Sequence, residues 1–243
     1  MSTILRAELR KLRHTRSLLA VPVAGVVLAV AGAVVLLVIG KPADIPGTLS
    51  AYGPLRFGPT NFGLLLVVFG VRVFADETQH RTLSGTFVRT PDRRRVLAAK
   101  ALLAGATAAV FTLVVYALVI PITVAGLAVR DLPMTYDLWD TTALLGRVTV
   151  AVVLLTTFGV AVGAAVRNRT GALVAVLVWF ALAEDVVGGV LRIERFLPSA
   201  AFRSLVSADA SSPTPAATAV LLLLVLATVT ACAAAHSTRR DVL

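Results

Sequence analysis

The densest group of residues able to do chemistry is the run from Asp76 to Arg95, which holds Asp76, Glu77, His80, Arg81, Arg89, Asp92, Arg93, Arg94 and Arg95. Its chemistry is charge and hydrogen bonding rather than bond-making. A phosphate loop needs G-x-x-x-x-G-K-[ST], so that backbone N–H groups and a lysine cradle the phosphates. The only Gly-Lys pair here, Gly40-Lys41, is followed by Pro42. No CxxC or HExxH pattern occurs, and the single cysteine, Cys232, lies in an apolar run where it reads as a small hydrophobe. His14, His80 and His236 lie in separate polar segments, and no His–Asp–Ser or paired-carboxylate arrangement stands out. The sequence therefore predicts no catalytic residue, no cofactor and no metal site in this chain.

The elements that must position the charged run are apolar. Of 243 residues, 58% are hydrophobic and the mean hydropathy is +0.89, against about 45–50% apolar in a soluble domain. The excess is blocked into long runs, and roughly 20 apolar residues are needed for a helix to cross the hydrocarbon core. The runs predict an all-α integral membrane protein, a single domain over 1–243, with six spans at about 17–39, 58–75, 101–125, 142–166, 171–187 and 216–235. The first run is preceded by Arg6, Arg10, Lys11, Arg13 and Arg16, as in a signal peptide. It is too long for a signal core of about 7–15 residues, so an uncleaved span is expected. Within 1–16, Ile4, Leu5, Leu9 and Leu12 recur at spacings of three to four and predict an amphipathic interfacial helix.

The net charge of +10 would suggest nucleic acid in a soluble protein. Here topology accounts for it. Segments 1–16, 72–100, 167–170 and 236–243 hold 16 of the 23 Lys and Arg residues, and segments 40–57, 126–147 and 184–215 hold 7. The two sets alternate along a six-span chain, and the basic set is assigned to the cytoplasm. Both termini are then cytoplasmic, in a multi-pass protein of a bacterial cell membrane, with the basic residues facing lipid headgroups. Tyr52, Phe57, Tyr136 and Trp139 lie near the outer span ends, where aromatic side chains favour the headgroup level. Arg72 is expected to snorkel from the inner end of span two, and Glu184 and Asp185 close the outer end of span five. No ionisable residue sits in the middle of spans one, three, four or six to carry a coupling ion. Energy for uphill movement would have to come from outside the membrane.

The loop joining spans two and three carries the most information. Thr90-Pro91-Asp92 is a helix start: a hydroxyl cap, proline in the first turn, then an acid at the positive end. The helix is expected to run on through span three. Arg93, Arg94 and Arg95 in its first turns oppose the helix dipole, so they need lipid phosphates or an acidic protein surface, or they serve only to set topology.

With these features the sequence resembles the permease subunits of ABC-2-type exporters. The resemblance rests on Ala7-Glu8-Leu9-Arg10-Lys11-Leu12-Arg13 before span one, and on Glu77, Gly85-Thr86, Thr90-Pro91, Arg93 or Arg95, and Lys100 in the first cytoplasmic loop. Leu197-Pro198 in the last outer loop and Arg239-Arg240-Asp241 after span six complete it. It implies a pair of permeases, identical or related, docked on two cytoplasmic ATPase subunits that hold the ATP and magnesium. It further implies a coupling helix over Thr78 to Phe87. The coupling loop would then comprise Glu77, Arg81, Thr82, Leu83, Gly85, Thr86, Phe87, Thr90, Pro91, Arg93, Arg94 and Arg95. Glu8, Arg10, Lys11 and Arg13 would lie on the inner membrane surface. The Ala-, Val- and Leu-rich spans favour an amphipathic drug, peptide or lipid as cargo. The competing expectation is a membrane anchor or assembly protein that moves nothing, and a membrane-embedded enzyme ranks third.

Overall fold

A chain this apolar has to satisfy its backbone N–H and C=O groups internally, and a helix does so within each segment. The computed structural model describes residue 9, residues 16–39, 53–79, 93–131, 138–166 and 168–180, and residues 186 and 190; for Arg16, residues 53–61, 77–79 and 93–94 it describes the backbone alone. Among the described residues there are five helices and no strand: α1 (Arg16–Ile39), α2 (Gly53–Gln79), α3 (Arg93–Val129), α4 (Leu138–Val166) and α5 (Arg169–Val178).

Three of them, over Ser17–Ile39, Arg95–Val129 and Leu138–Val166, are long and apolar enough to cross a membrane. That is fewer than the six crossings expected from the sequence. Predicted span two falls within α2. Predicted span five, 171–187, begins within α5, and residues 181–185 and 187 of it lie outside the described residues. After Val178 the helix widens into a π turn at Trp179-Phe180. Predicted span six lies outside the described residues.

Burial separates the helices by role. In α1 the buried positions Leu18, Pro22, Gly25, Ala29, Ala33 and Leu37 recur every three to four residues and form one face. The opposite face exposes Val23, Val27, Leu28, Val34, Val35 and Val38, a continuous apolar surface suited to lipid. In α2 the described side chains are covered nearly all round, with only Leu64 exposed among Phe62 to Ala75. A helix apolar on every side belongs in the centre, and α2 packs against all four other helices. Buried Phe62, Leu66, Val67, Phe69 and Val71 form the core with Tyr116 and Val119 of α3 and Val148, Val152 and Val160 of α4.

Close backbone approach fixes the helix directions. Gly25 of α1 lies against Phe62 and Leu65 of α2, and Ser17 meets Arg72, so these two run antiparallel. Gly159 and Gly163 of α4 meet the main chain of Val67 and Val71, so α2 and α4 run parallel. Gly105 of α3 faces Val153 and Thr157 of α4, and Gly126 faces Leu37 of α1. One end of the bundle therefore gathers the start of α1, the end of α2, the start of α3, the end of α4 and the start of α5. This is called the loop end below.

Polar groups inside the apolar helices are satisfied locally. The buried hydroxyls of Thr112, Thr123 and Thr156 donate to the carbonyls of Ala108, Val119 and Val152 at 2.9, 2.7 and 2.8 Å, the back-bonding that lets threonine sit in such a helix. Arg147, early in α4, donates from Nε to the Ala143 carbonyl at 3.3 Å. Its side chain thus leans toward the helix start and away from the bundle middle. At the end of α3, Arg130 and Asp131 donate to the carbonyls of Leu127 and Ala128, and Asp131 takes a left-handed φ of 52°.

Candidate functional site

Basic residues collect at the loop end for reasons of helix direction alone. Arg16 opens α1, Arg72 lies in the last turns of α2, Arg93, Arg94 and Arg95 open α3, Lys100 follows two turns later, and Arg169 opens α5. The opposite end receives Arg56, Arg130 and Arg147. Three apolar helices with such a charge split fit a membrane protein.

The geometry at the loop end centres on Asp76. Arg72 and Asp76 are four apart on α2, which places them on one face, and Arg72 Nη2 donates to Asp76 Oδ2 at 3.3 Å. Arg72 Nη1 donates to the Ser17 carbonyl at 3.0 Å, in the first turn of α1. From α5, Arg169 Nε stands 3.2 Å from Asp76 Oδ1. The side chains of Arg72, Asp76 and Arg169 are 12%, 18% and 35% exposed. One carboxylate thus serves two guanidinium groups and links α1, α2 and α5. This revises the expectation for Arg72, which does not reach outward to lipid but turns inward to neighbouring helices.

The junction is incompletely bonded. Among the described residues, Arg72 Nε and Asp76 Oδ1 are buried atoms without a hydrogen-bond partner. Arg169 is close enough to Asp76 Oδ1 for ion pairing, yet its N–H is not aligned with that oxygen. Buried polar atoms are usually satisfied, and an exception calls for a reason.

Arg169 is placed by its own cap. The connection between α4 and α5 is only Arg167 and Asn168. Asn168 is extended, and its side chain accepts from the N–H groups of Thr170 and Gly171 at 3.1 and 3.3 Å, satisfying two of the free donors of α5.

Of the residues expected in the coupling loop, Glu77 lies in the last turn of α2, and Arg93, Arg94 and Arg95 lie in the first turn of α3. Arg95 is exposed. Arg81, Thr82, Leu83, Gly85, Thr86, Phe87, Thr90 and Pro91 lie outside the described residues, as do Glu8, Arg10, Lys11 and Arg13. The structure brings together the two flanks of the loop, since α2 and α3 pack against each other. Lys100, which closes the first-cytoplasmic-loop pattern of the resemblance, is only 1% exposed. It shares the inward face of α3 with Val96, Ala99 and Ala104, so packing rather than solvent surrounds it.

Sequence reasoning missed the Arg72–Asp76–Arg169 junction because Arg169 is distant along the chain. The i,i+4 spacing of Arg72 and Asp76 was a usable signal. No ion-binding group of three or more His, Cys, Asp or Glu occurs among the described residues. Compared with known proteins, the chain matches no protein-family model and no curated relative.

Proposed function

We propose that the chain is the membrane-spanning permease subunit of an ATP-driven exporter of the ABC-2 type. A separate cytoplasmic ATPase, carrying ATP and magnesium, supplies the energy, and the cargo is an amphipathic drug, peptide or lipid. In this reading the chain crosses the membrane six times with both termini in the cytoplasm. It works as a pair with a second copy or a related chain.

One observation carries the proposal. Residues 80–92 leave one long helix and enter another, and these two helices pack on each other. Helix α3 has 37 residues without a break, about 55 Å at 1.5 Å per residue, roughly 25 Å more than a hydrocarbon core needs. A push on the loop therefore reaches the membrane through two rigid elements rather than a slack tether. A simple anchor has no use for such an arrangement.

Leu83 and Phe87, four residues apart, share one face if the loop is helical and would seat in a groove of the ATPase. Replacing both with Asp should abolish co-purification of the ATPase and transport, while membrane insertion persists. Wild-type recovery of an ATPase with the double variant, and unimpaired transport, would overturn the coupling role. Failure of the parent chain to recover any ATPase would favour an anchor or assembly protein instead.

A further inference from the structure

We propose that Asp76 is the bolt of an electrostatic latch that holds α5 against α2, and that its exchange between Arg72 and Arg169 sets α5 docked or released. The inference goes beyond the exporter reading and stands on the chain's own helices.

Three observations carry it. The first is how closely the helices are seated. Gly159 and Gly163 set the main chain of α4 directly on that of α2, with a methyl group at 163 placed 2.6 Å from the Val71 carbonyl oxygen. Main chain meets main chain there, so the two helices are closely seated. By contrast, over Arg169–Val178 α5 buries Ala172 and Val176 and packs Leu173 partly against the core. The charged contact at its first residue adds to these apolar contacts in holding α5 to α2.

The second observation is the unfinished bonding. Arg72 already spends one nitrogen on Ser17 and one on Asp76, while among the described residues its buried Nε and the buried Asp76 Oδ1 lack hydrogen-bond partners. Two cations share one carboxylate, and neither holds it in the aligned bidentate geometry that makes an arginine–carboxylate pair strong. Turning the carboxylate toward Arg72 would complete that pair and free Arg169. Turning it toward Arg169 would tighten the bond to α5. A network with two comparable arrangements is the raw material of a switch.

The third observation is place. Asp76 stands three residues before the end of α2, beside the loop of residues 80–92. Arg169 stands immediately after the two-residue turn that separates α4 from α5. A small rotation of the last turn of α2 changes the distance from Asp76 to Arg169 directly.

The test is a distance measurement on the full chain in lipid nanodiscs, in a Cys232→Ala background that removes the single native thiol. Spin labels go at Val27 of α1 and Val178 of α5, both exposed. In the parent, one dominant distance is expected, with any released state at the roughly 0.1–10% of a typical minor conformer. Asp76→Asn and Arg169→Gln should each make a second, displaced distance the major one, and Asp76→Glu should restore the parent distribution. An unchanged distribution in both variants would overturn the latch. So would a change in Asp76→Asn alone, because Asp76 would then act through Arg72 and α1. None of these readings involves an ATPase, so failure here is distinct from failure of the exporter proposal.

Discussion

Gly159 of α4 lies so close to Val67 of α2 that a methyl group on Gly159 would overlap the Val67 carbonyl oxygen. The contact is reciprocal one turn away, where a methyl group on Gly70 would overlap the Thr156 carbonyl. Without a hydrophobic drive between helices in lipid, close packing of small residues has to supply the association. Gly159→Ala should therefore lower stability by about 1–3 kcal/mol, the usual cost of overpacking. Gly146 of the same helix has nothing within 4 Å of an added methyl group. Gly146→Ala should be neutral or stabilising by up to about 1 kcal/mol, through helix propensity alone. Thermal denaturation of the two variants in one detergent checks both expectations, and equal losses would refute the close-packing argument.

The Asn168 cap makes a second, independent prediction. Its side chain accepts from two N–H groups of α5, and removing such a cap costs about 1 kcal/mol. Asn168→Ala should loosen the α4–α5 turn by that amount, while Asn168→Asp, which keeps the acceptor and adds a charge suited to the positive helix end, should not. Amide hydrogen exchange over residues 168–176 reads this out. Faster exchange in the Ala variant alone is the expected result.

The sequence made some of this legible and hid the rest for physical reasons. The first apolar run, 17–39, matches α1 almost residue for residue, because nothing polar interrupts it. Span three is expected at 101–125 within a helix that starts near Pro91, and α3 covers Arg93–Val129. Hydropathy locates the lipid boundary, and hydrogen bonding carries the helix past it. The pattern Gly159-x-x-x-Gly163 was present and is a known small-residue packing motif, but only the contact with α2 reveals which helix it serves. Arg72 reads as a snorkelling side chain because positive charges near span ends usually turn to the interface, and Lys100 reads as the end of the first cytoplasmic loop. Their burial depends on Asp76, Arg169 and the inward face of α3, which no local window contains.

Topology gives a third prediction, drawn from the split of basic residues between the two bundle ends. In intact cells of the Cys232→Ala background, cysteines at Ser50 and Ser207 should react with an impermeant thiol reagent from outside, and cysteines at Ser84 and Ser237 should not. External labelling at Ser84 would reverse the orientation. It would also place the proposed coupling loop on the wrong side for an ATPase.

The last prediction separates holding an ATPase from being driven by it. If α3 carries motion from the loop into the membrane, its first turns must be stiff, while the loop itself need only bind. Ala98 is exposed and lies in α3 between Arg95 and the buried Lys100. Proline at this position is the sixth residue of the helix, where it removes the N–H bond to the residue 94 carbonyl and crowds that turn, at a cost of about 3 kcal/mol or more. Residues 77–87 are untouched by the change. Ala98→Pro should therefore co-purify with the ATPase at parental yield, while permease-stimulated ATP hydrolysis and export fall to the level of cells lacking the permease. Ala98→Ser should keep both, since it leaves the backbone bond in place. Loss of ATPase binding in Ala98→Pro would mean that the rod and the docking surface are one unit. Full transport in the same variant would mean that α3 is not the path along which the force travels, and would leave α2, with its tie through Asp76, as the remaining route.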